Sequence, residues 1–305
     1  MSSRQPAVGI GVASAPATCG ELAQGILDGT PVMATCPIDM FSTVTVDLVE
    51  GSGRVHGPAN SFKACRAVEL TLALMERTDV DAQVNIESCI PRKKGMASST
   101  ADIIAAIAAT GAALDADITA SQQAELALSI EPSDGTMLPG IALFDYKHGS
   151  IARSLGCPPD MRILVLEFEG DLDTESFNAV NREAELRGQS PLLRDALELI
   201  TEGIESGDAK SVGRGATLSA LTYQTVLPKP QLPGVLSLAQ DAGAVGVNVA
   251  HSGTVMGLLF GEDADRIAWA ETEASKRLPD LTAVHNCKLI GGGVQPPVHP
   301  EPVEG

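Results

Sequence analysis

Aromatic side chains are scarce in this sequence: one Trp, two Tyr and six Phe among 305 residues, or 3%. With 44% of the residues hydrophobic, a core of ordinary size is available, but it has to be built from Ala, Val, Leu and Ile. Such small side chains let helix and sheet backbones approach closely. Positive charge is also in short supply, since 21 Lys and Arg stand against 39 Asp and Glu and the formal charge is −18. A surface of that sign repels nucleic acid and anionic membrane, and neither is expected as a partner. The six cysteines (Cys19, Cys36, Cys65, Cys89, Cys157, Cys287) are scattered without a C-x-x-C pair, which argues against a zinc site and fits a reducing compartment. No apolar run reaches membrane-span length, and the N-terminus lacks the apolar core of a secretion signal, so the expected location is the cytoplasm. No G-x-G-x-x-G follows a β-like run, which sets aside a nucleotide-dependent dehydrogenase.

What is present centres on Pro91-Arg92-Lys93-Lys94-Gly95-Met96-Ala97-Ser98-Ser99-Thr100-Ala101. A β-like run, Val84 to Ile90, leads in, and a helix-like run, Ala101 to Leu114, leads out. A glycine lets backbone approach a ligand, and the first turn of a helix offers unpaired N–H groups to an anion. Three cations and three hydroxyls complete a stretch suited to phosphate, or to Mg²⁺ bound to phosphate. The competing reading is a basic turn followed by an ordinary serine cap.

The rest of the chain alternates strand and helix signals. Val44, Val46 and Leu48 share one face of a period-two segment, a half-buried strand. Phe62 to Arg77 has helical spacing, and Thr119-x-x-Gln122 predicts a capping box at the start of a further helix that Pro132 closes. Ile141 to Leu155 reads as a hairpin. Ala15 to Gly25, with a proline, two glycines and the lone carboxylate Glu21, reads as a specialised loop or a plain turn. Glu131 and Asp134 lie three apart at a helix end, either an acid–base or metal pair or a solvated turn. The texture breaks at Cys157-Pro158-Pro159, which divides the chain into domains at 1–158 and 159–295, with a Pro/Glu-rich tail, 296–305, expected to be disordered. In the second domain helices are expected over Asn178 to Leu186, Leu192 to Ile204, Lys210 to Leu221, Val235 to Asp241 and Asp263 to Leu278. Strands are expected from Met161, at Ala244 to Val249, at Thr254 to Phe260 and at Val284 to Ile290. The order suits an antiparallel sheet with helices on one face.

Three segments together resemble the GHMP kinase superfamily. Pro91 to Ala101 fits every fixed position of its P-x-x-x-G-[LM]-[GA]-S-S-x-A motif. Ala15-Pro16-Ala17 matches its first motif, and Ala250-His251-Ser252-Gly253-Thr254 its third. The resemblance covers nearly the whole chain. It implies an α+β, two-domain fold: an N-terminal ribosomal-protein-S5-domain-2-like α/β domain that binds nucleotide, and a C-terminal ferredoxin-like α+β sandwich. Within the superfamily, Cys19-Gly20-Glu21-Leu22-x-Gln24-Gly25, Glu131-Pro132-x-Asp134-Gly135-Thr136 and Leu143-Phe144-Asp145 are most similar to the branch that phosphorylates the L-threonine hydroxyl with ATP for the aminopropanol phosphate linker of cobalamin. Two departures stand out: Thr18 lies where many members carry a cation, and the third motif is poor in glycine.

The resemblance implies ATP and Mg²⁺. Residues Pro91 to Ala101 would form the phosphate loop, Ser99 and Glu131 would hold Mg²⁺, and Asp134 would be the base, with a structural turn as its rival role. Asp145 is a weaker candidate base. Glu21 would meet the substrate ammonium, and His251 and Ser252 its carboxylate or the phosphate. Homoserine kinase and a catalytically silent ligand-binding homologue stay open as alternatives, as does a homodimer.

Overall fold

The computed structural model describes residues 7–170, 186, 188–262 and 265–298; the helix expected over Asn178 to Leu186 lies, apart from Leu186, outside the described residues. The chain opens with a long antiparallel hairpin of β1 (Ala7–Leu27) and β2 (Thr30–Glu50). The stretch expected to be a loop, Ala15 to Gly25, is therefore strand. It carries Pro16 and Gly20 at bulges, with Gly25 paired in register to Val32: the register shifts between Pro16 and Ala17, between Thr18 and Glu21, and again before Ala23. A bulge is where a sheet tolerates proline and where a strand bends to re-aim a side chain.

On the outer edge, β4 (Val80–Ser88) pairs with β2, and the short β3 (Val55–His56) runs parallel to β4. The first half of β2 also pairs with β5 (Ile141–Phe144), which forms the expected hairpin with β6 (Ala152–Gly156). Three helices cover this half: α1 (Phe62–Leu74), α2 (Ser98–Ala113) and α3 (Ala120–Leu128). Thr119 and Gln122 make the predicted capping box at α3. Helix α2 packs on β1, β2 and α1. Its Ile103, Ile104, Ala105, Ala106 and Ile107 are all fully buried, as an all-round apolar helix must be.

The second half contributes β7 (Arg162–Phe168), β8 (Gly246–Val249), β9 (Met256–Phe260) and β10 (Leu281–Lys288), all antiparallel, in the order β10-β7-β9-β8. Its helices are α4 (Ser190–Ser206), α5 (Ala209–Thr222), α6 (Leu232–Ala242) and α7 (Ile267–Arg277). They cover both faces of the sheet rather than one. Ile163 and Val165 pack into the core that holds Leu193, Ile200 and Val212 of α4 and α5. Leu164, Leu166 and Phe168 pack into a second core with Val235, Leu238, Ala270 and Ala274 of α6 and α7. The unbroken apolar run from Ile163 to Leu166 is the signature of a strand buried on two sides. The tail is not free from Pro296 onward: Val298 N–H donates to Ser14 Oγ at 2.8 Å, and Thr43 Oγ1 donates to the Val298 carbonyl. Residues 299–305 lie outside the described residues.

The two half-sheets meet where Glu21 of β1 stands opposite Val249 of β8, so one bulged strand carries a carboxylate to the seam. Close approach of α2 to β1 depends on Gly11, where an added Cβ would lie 2.0 Å from the Ala109 carbonyl oxygen. Gly11→Ala is expected to cost about 1–3 kcal/mol by forcing helix from sheet. Urea unfolding should show a lower midpoint at unchanged slope.

Candidate active site

The central loop is built from backbone conformations that L-residues adopt reluctantly. Lys93 has φ 62°, Gly95 φ 82° and Ala97 φ 53°. Two non-glycine residues in the left-handed region within five positions mark a loop held by its surroundings. What holds it is the turn between β8 and β9. The Lys94 carbonyl accepts from the N–H groups of Thr254 at 2.9 Å and Val255 at 3.2 Å. Gly95 and Gly253 are interlocked: a Cβ on Gly95 would sit 2.7 Å from Gly253 Cα, and a Cβ on Gly253 would sit 2.0 Å from the Lys94 carbonyl oxygen. From the other side Thr18 N–H donates to the Met96 carbonyl at 3.2 Å. The first, second and third motifs thus meet backbone to backbone. Position 18, where a cation was missing, supplies a main-chain bond.

Past Ala97 the chain enters α2, and Ser98, Ser99 and Thr100 of its first turn line a cavity of about 300 Å³. Its wall includes Glu21, Lys63, Arg92, Lys93, residues 95–100, Glu131, Ser133, Asp134, Tyr146, His251 and Ser252. All three candidate catalytic residues and all three candidate substrate contacts therefore share one space. Ser99 Oγ donates to Glu131 Oε1, and Lys63 Nζ of α1 reaches Glu131 Oε2 at 2.5 Å. Lys63 carried no signal in sequence, because only the packing of α1 against α3 and its C-terminal turn brings it to Glu131.

The three cations of the loop have different fates. Arg92 Nη2 pairs with Asp102 Oδ2 at 3.0 Å, and Ser42 Oγ donates to the other Asp102 oxygen at 2.5 Å. Burial pushes the Asp102 carboxyl upward, and the bonds from Ser42 and Arg92 offset it in part. Lys94 lies off the cavity wall; its ammonium donates to the carbonyls of Phe168 at 3.1 Å and Gly170 at 3.0 Å and lies 3.5 Å from Glu167. It fastens the loop to β7. Lys93 is exposed on the cavity rim. Pro91 and Ala101 flank the loop without lining the cavity.

Two carboxylates face the cavity without full partners. Asp134 Oδ1 and Glu21 Oε2 are both buried and accept no hydrogen bond. Burial pushes the Asp134 carboxyl up to about 7. Glu21 is held well above the usual carboxylate range, chiefly by burial and then by the charge of Asp134; the His251 backbone N–H and the Lys229 ammonium act against that. Lys229 is buried and donates to the Gly253 carbonyl at 2.6 Å, and burial lowers its ammonium to about 8. It sits in the Pro-rich segment of residues 227–233. Asp145 does something different. Its oxygens accept from the backbone N–H groups of Lys147, His148 and Ser150 and from Ser150 Oγ, and although burial opposes it these bonds hold its carboxyl low. It caps a turn and lies off the cavity.

Among the described residues no group of three or more His, Cys, Asp or Glu is placed so as to hold a metal ion by itself. A hard divalent ion that takes most of its ligands from phosphate and water needs only one or two protein groups, and the adjacent Ser99 hydroxyl and Glu131 carboxylate would be such a set. An orphaned carboxylate oxygen in the same cavity, at Asp134, is a further sign that the donor set is built for ligands.

The fold and this cavity define a phosphotransfer scaffold, and the chain belongs to the GHMP kinase family. Residues 62–142 match the GHMP kinases N terminal domain and residues 194–271 the GHMP kinases C terminal domain. Its relatives include the L-threonine kinase of Salmonella typhimurium, 36% identical over 297 residues, covering 94% of this chain and 95% of that protein. The L-threonine kinase of Citrobacter freundii is 34% identical over 287 residues, 93% of this chain and 99% of that one. Among solved structures, homoserine kinase from Cytophaga hutchinsonii superposes with a TM-score of 0.73 over 94% of this chain and 96% of its own, at 17% identity, a likeness of fold.

Asp134 makes a testable trade between stability and chemistry. An unfolded aspartate titrates near about 4, so a native value of about 7 means that the stability of the neutral form is complete below about 4. It is lost as pH rises through about 7. Asp134→Asn removes that loss. The variant should melt at or above the wild-type temperature at pH 8, and a clear drop there in thermal denaturation would mean that the ionised carboxylate has a stabilising partner.

Proposed function

We propose that this protein transfers the γ-phosphoryl group of ATP to the side-chain hydroxyl of L-threonine, giving O-phospho-L-threonine and ADP. The observation that carries this reading is the meeting in one cavity of a helix-headed anion loop, the Ser99–Glu131 pair and the unpartnered, buried oxygen of Asp134. Full-length likeness to L-threonine kinases supports the choice of acceptor.

Phosphoryl transfer needs positioning and charge stabilisation more than covalent work from the protein. The N–H groups of residues 95–100 take the triphosphate, backed by the first turn of α2. Ser99 and Glu131 would hold Mg²⁺, which when bound would supply neutralisation of charge on the phosphoryl oxygens. Lys63, paired with Glu131 Oε2, keeps a positive charge beside the phosphate end of the cavity and would leave Oε1 for the ion. Asp134, titrating near neutrality, accepts the threonine hydroxyl proton. Glu21 meets the α-ammonium, a cation that favours the ionised form opposed by burial and by the neighbouring Asp134. Ser252 stands on the same wall for the substrate carboxylate. Arg92 and Lys93 steer Mg·ATP toward an otherwise acidic protein, and the remaining residues of Pro91 to Ala101 shape the loop.

ADP release measured side by side with L-threonine, L-serine and L-homoserine, with the phosphorylated product identified, tests the reading. The expected result is a kcat/KM for L-threonine at least tenfold above the others. Preference for homoserine would reassign the acceptor, and ATP binding without turnover would leave a ligand-binding homologue. Ser99→Ala and Glu131→Ala should each lower kcat/KM for Mg·ATP by about 10²-fold or more with melting temperature kept; near-normal turnover in both would remove the metal role. Asp134→Asn should lose kcat by about 10²–10⁴-fold while ATP still binds. In the wild type kcat should fall as pH drops through about 7, where burial places the Asp134 carboxyl.

A further inference from the structure

The strand that carries Glu21 to the seam bends on both sides of that residue. Three steps on β1, from Thr18 to Glu21, face two on β2, from Pro37 to Thr35, and two steps, from Glu21 to Ala23, face one, from Thr35 to Ala34. Each mismatch is a bulge, and a bulge leaves main-chain groups outside the ladder. Gly20, between Cys19 and Glu21, has φ 51°, and a Cβ there would lie 2.5 Å from the Ala250 backbone nitrogen. The carbonyls of Cys19 and Glu21, on either side of it, are buried acceptors that need donors.

One side chain serves both. Asn248 of β8 is fully buried, and its Nδ2 donates to the Cys19 carbonyl and, at 3.4 Å, to the Glu21 carbonyl. A carboxamide nitrogen has two hydrogens, so these two acceptors match the whole NH₂ group. Oδ1, at the other end of the amide, accepts from Cys19 Sγ at 3.8 Å. That arrangement fixes the orientation of the amide, because its oxygen cannot donate to a carbonyl. Room for Oδ1 comes from Gly257, the register partner of Asn248 on β9, where a Cβ would lie 2.3 Å from that oxygen. Asn248 lies off the cavity wall, whereas Glu21 lines it, with Oε2 buried and accepting no hydrogen bond. The direction in which the Glu21 carboxyl enters the cavity is set by the bulged main chain that bears it and by the His251 backbone N–H. We propose that Asn248 is a positioning residue for the acceptor amino acid: by holding the carbonyls of Cys19 and Glu21 it fixes the bulge from which Glu21 meets the substrate ammonium. This rests on the reading of the cavity as an amino-acid kinase site.

An amide that only stabilised the seam would act on both substrates alike and independently of Glu21. A positioning amide acts on the amino acid alone, and acts through Glu21. Asn248→Asp keeps the shape of the side chain and sets an oxygen where the NH₂ group meets two carbonyls. Asn248→Ser, whose single hydroxyl cannot span both carbonyls, is the milder second variant should the first fail to fold. Either change should raise KM and the calorimetric Kd for L-threonine by about tenfold or more, with kcat at saturation and KM for Mg·ATP kept within about twofold. In a Glu21→Gln background, which keeps an acceptor oxygen, the same change should move the Kd for L-threonine by less than about twofold. Equal losses toward L-threonine and Mg·ATP, an undiminished effect in the Glu21→Gln background, or folded Asn248 variants with wild-type threonine affinity would each overturn the proposal. The calorimetric cycle needs no turnover. Absence of ADP formation by the wild type would therefore fail the kinase reading while the cycle still decided the role of Asn248, and a wild type that binds no L-threonine would overturn the acceptor and the proposal together.

Discussion

Contact between two stretches of backbone sets the geometry of everything else in this molecule. Gly95 and Gly253 touch where no side chain fits, and the Lys94 carbonyl takes two N–H groups from the far turn. That contact joins the loop ahead of α2 to the turn between β8 and β9, and so joins the two half-sheets at their ligand-facing ends. Lys94 and Lys229 reinforce it from either side through carbonyl oxygens. Buried ammonium-to-carbonyl bonds of this kind act by satisfying backbone acceptors that would otherwise be stranded. The left-handed residues Lys93 and Ala97 are affordable only because their surroundings leave the loop no alternative path.

From that seam follows the distribution of charge. An acidic protein with few cations uses them sparingly around the cavity. Arg92 neutralises the buried Asp102 beneath the loop, Lys63 pairs with Glu131, and Lys94 braces strand β7. What remains facing the interior is a pair of carboxyls whose ionisation burial opposes, Glu21 and Asp134, beside an imidazole whose Nδ1 is hydrogen-bonded to Gln24 and Tyr223. The cavity is thus divided into an anion-holding end at α2 and an acceptor-lined end at the seam. On the proposed function, a zwitterionic amino acid with a hydroxyl would meet complementary chemistry at both.

Period and punctuation in the sequence were enough for most elements. The alternation of Val44, Val46 and Leu48, the Thr119–Gln122 box, the Ile141–Leu155 hairpin and the all-apolar α2 each appear where the local pattern puts them. Two features resisted. Ala15 to Gly25 carries every mark of a loop, yet it is strand, because bulges absorb the residues that would break a regular ladder. Helices lie on both faces of the second half-sheet, a property announced only by the short apolar run at Ile163 to Leu166, which periodicity alone does not interpret.

The sequence by itself determined the loop, its glycine and hydroxyls, and the family whose motif they form, because each depends on residue types at fixed short spacings. Tertiary structure decided which of those residues reach one another. Lys63 meets Glu131 across 68 positions and His251 meets Gln24 across 227, distances in chain over which no local pattern carries information. Burial decided the rest: the same carboxyl group is held low in the capped turn at Asp145 and pushed to about 7 at Asp134. Burial alone raises Asp134, whereas at Asp145 the N–H and O–H donors of the turn outweigh burial, and only the folded chain sets either.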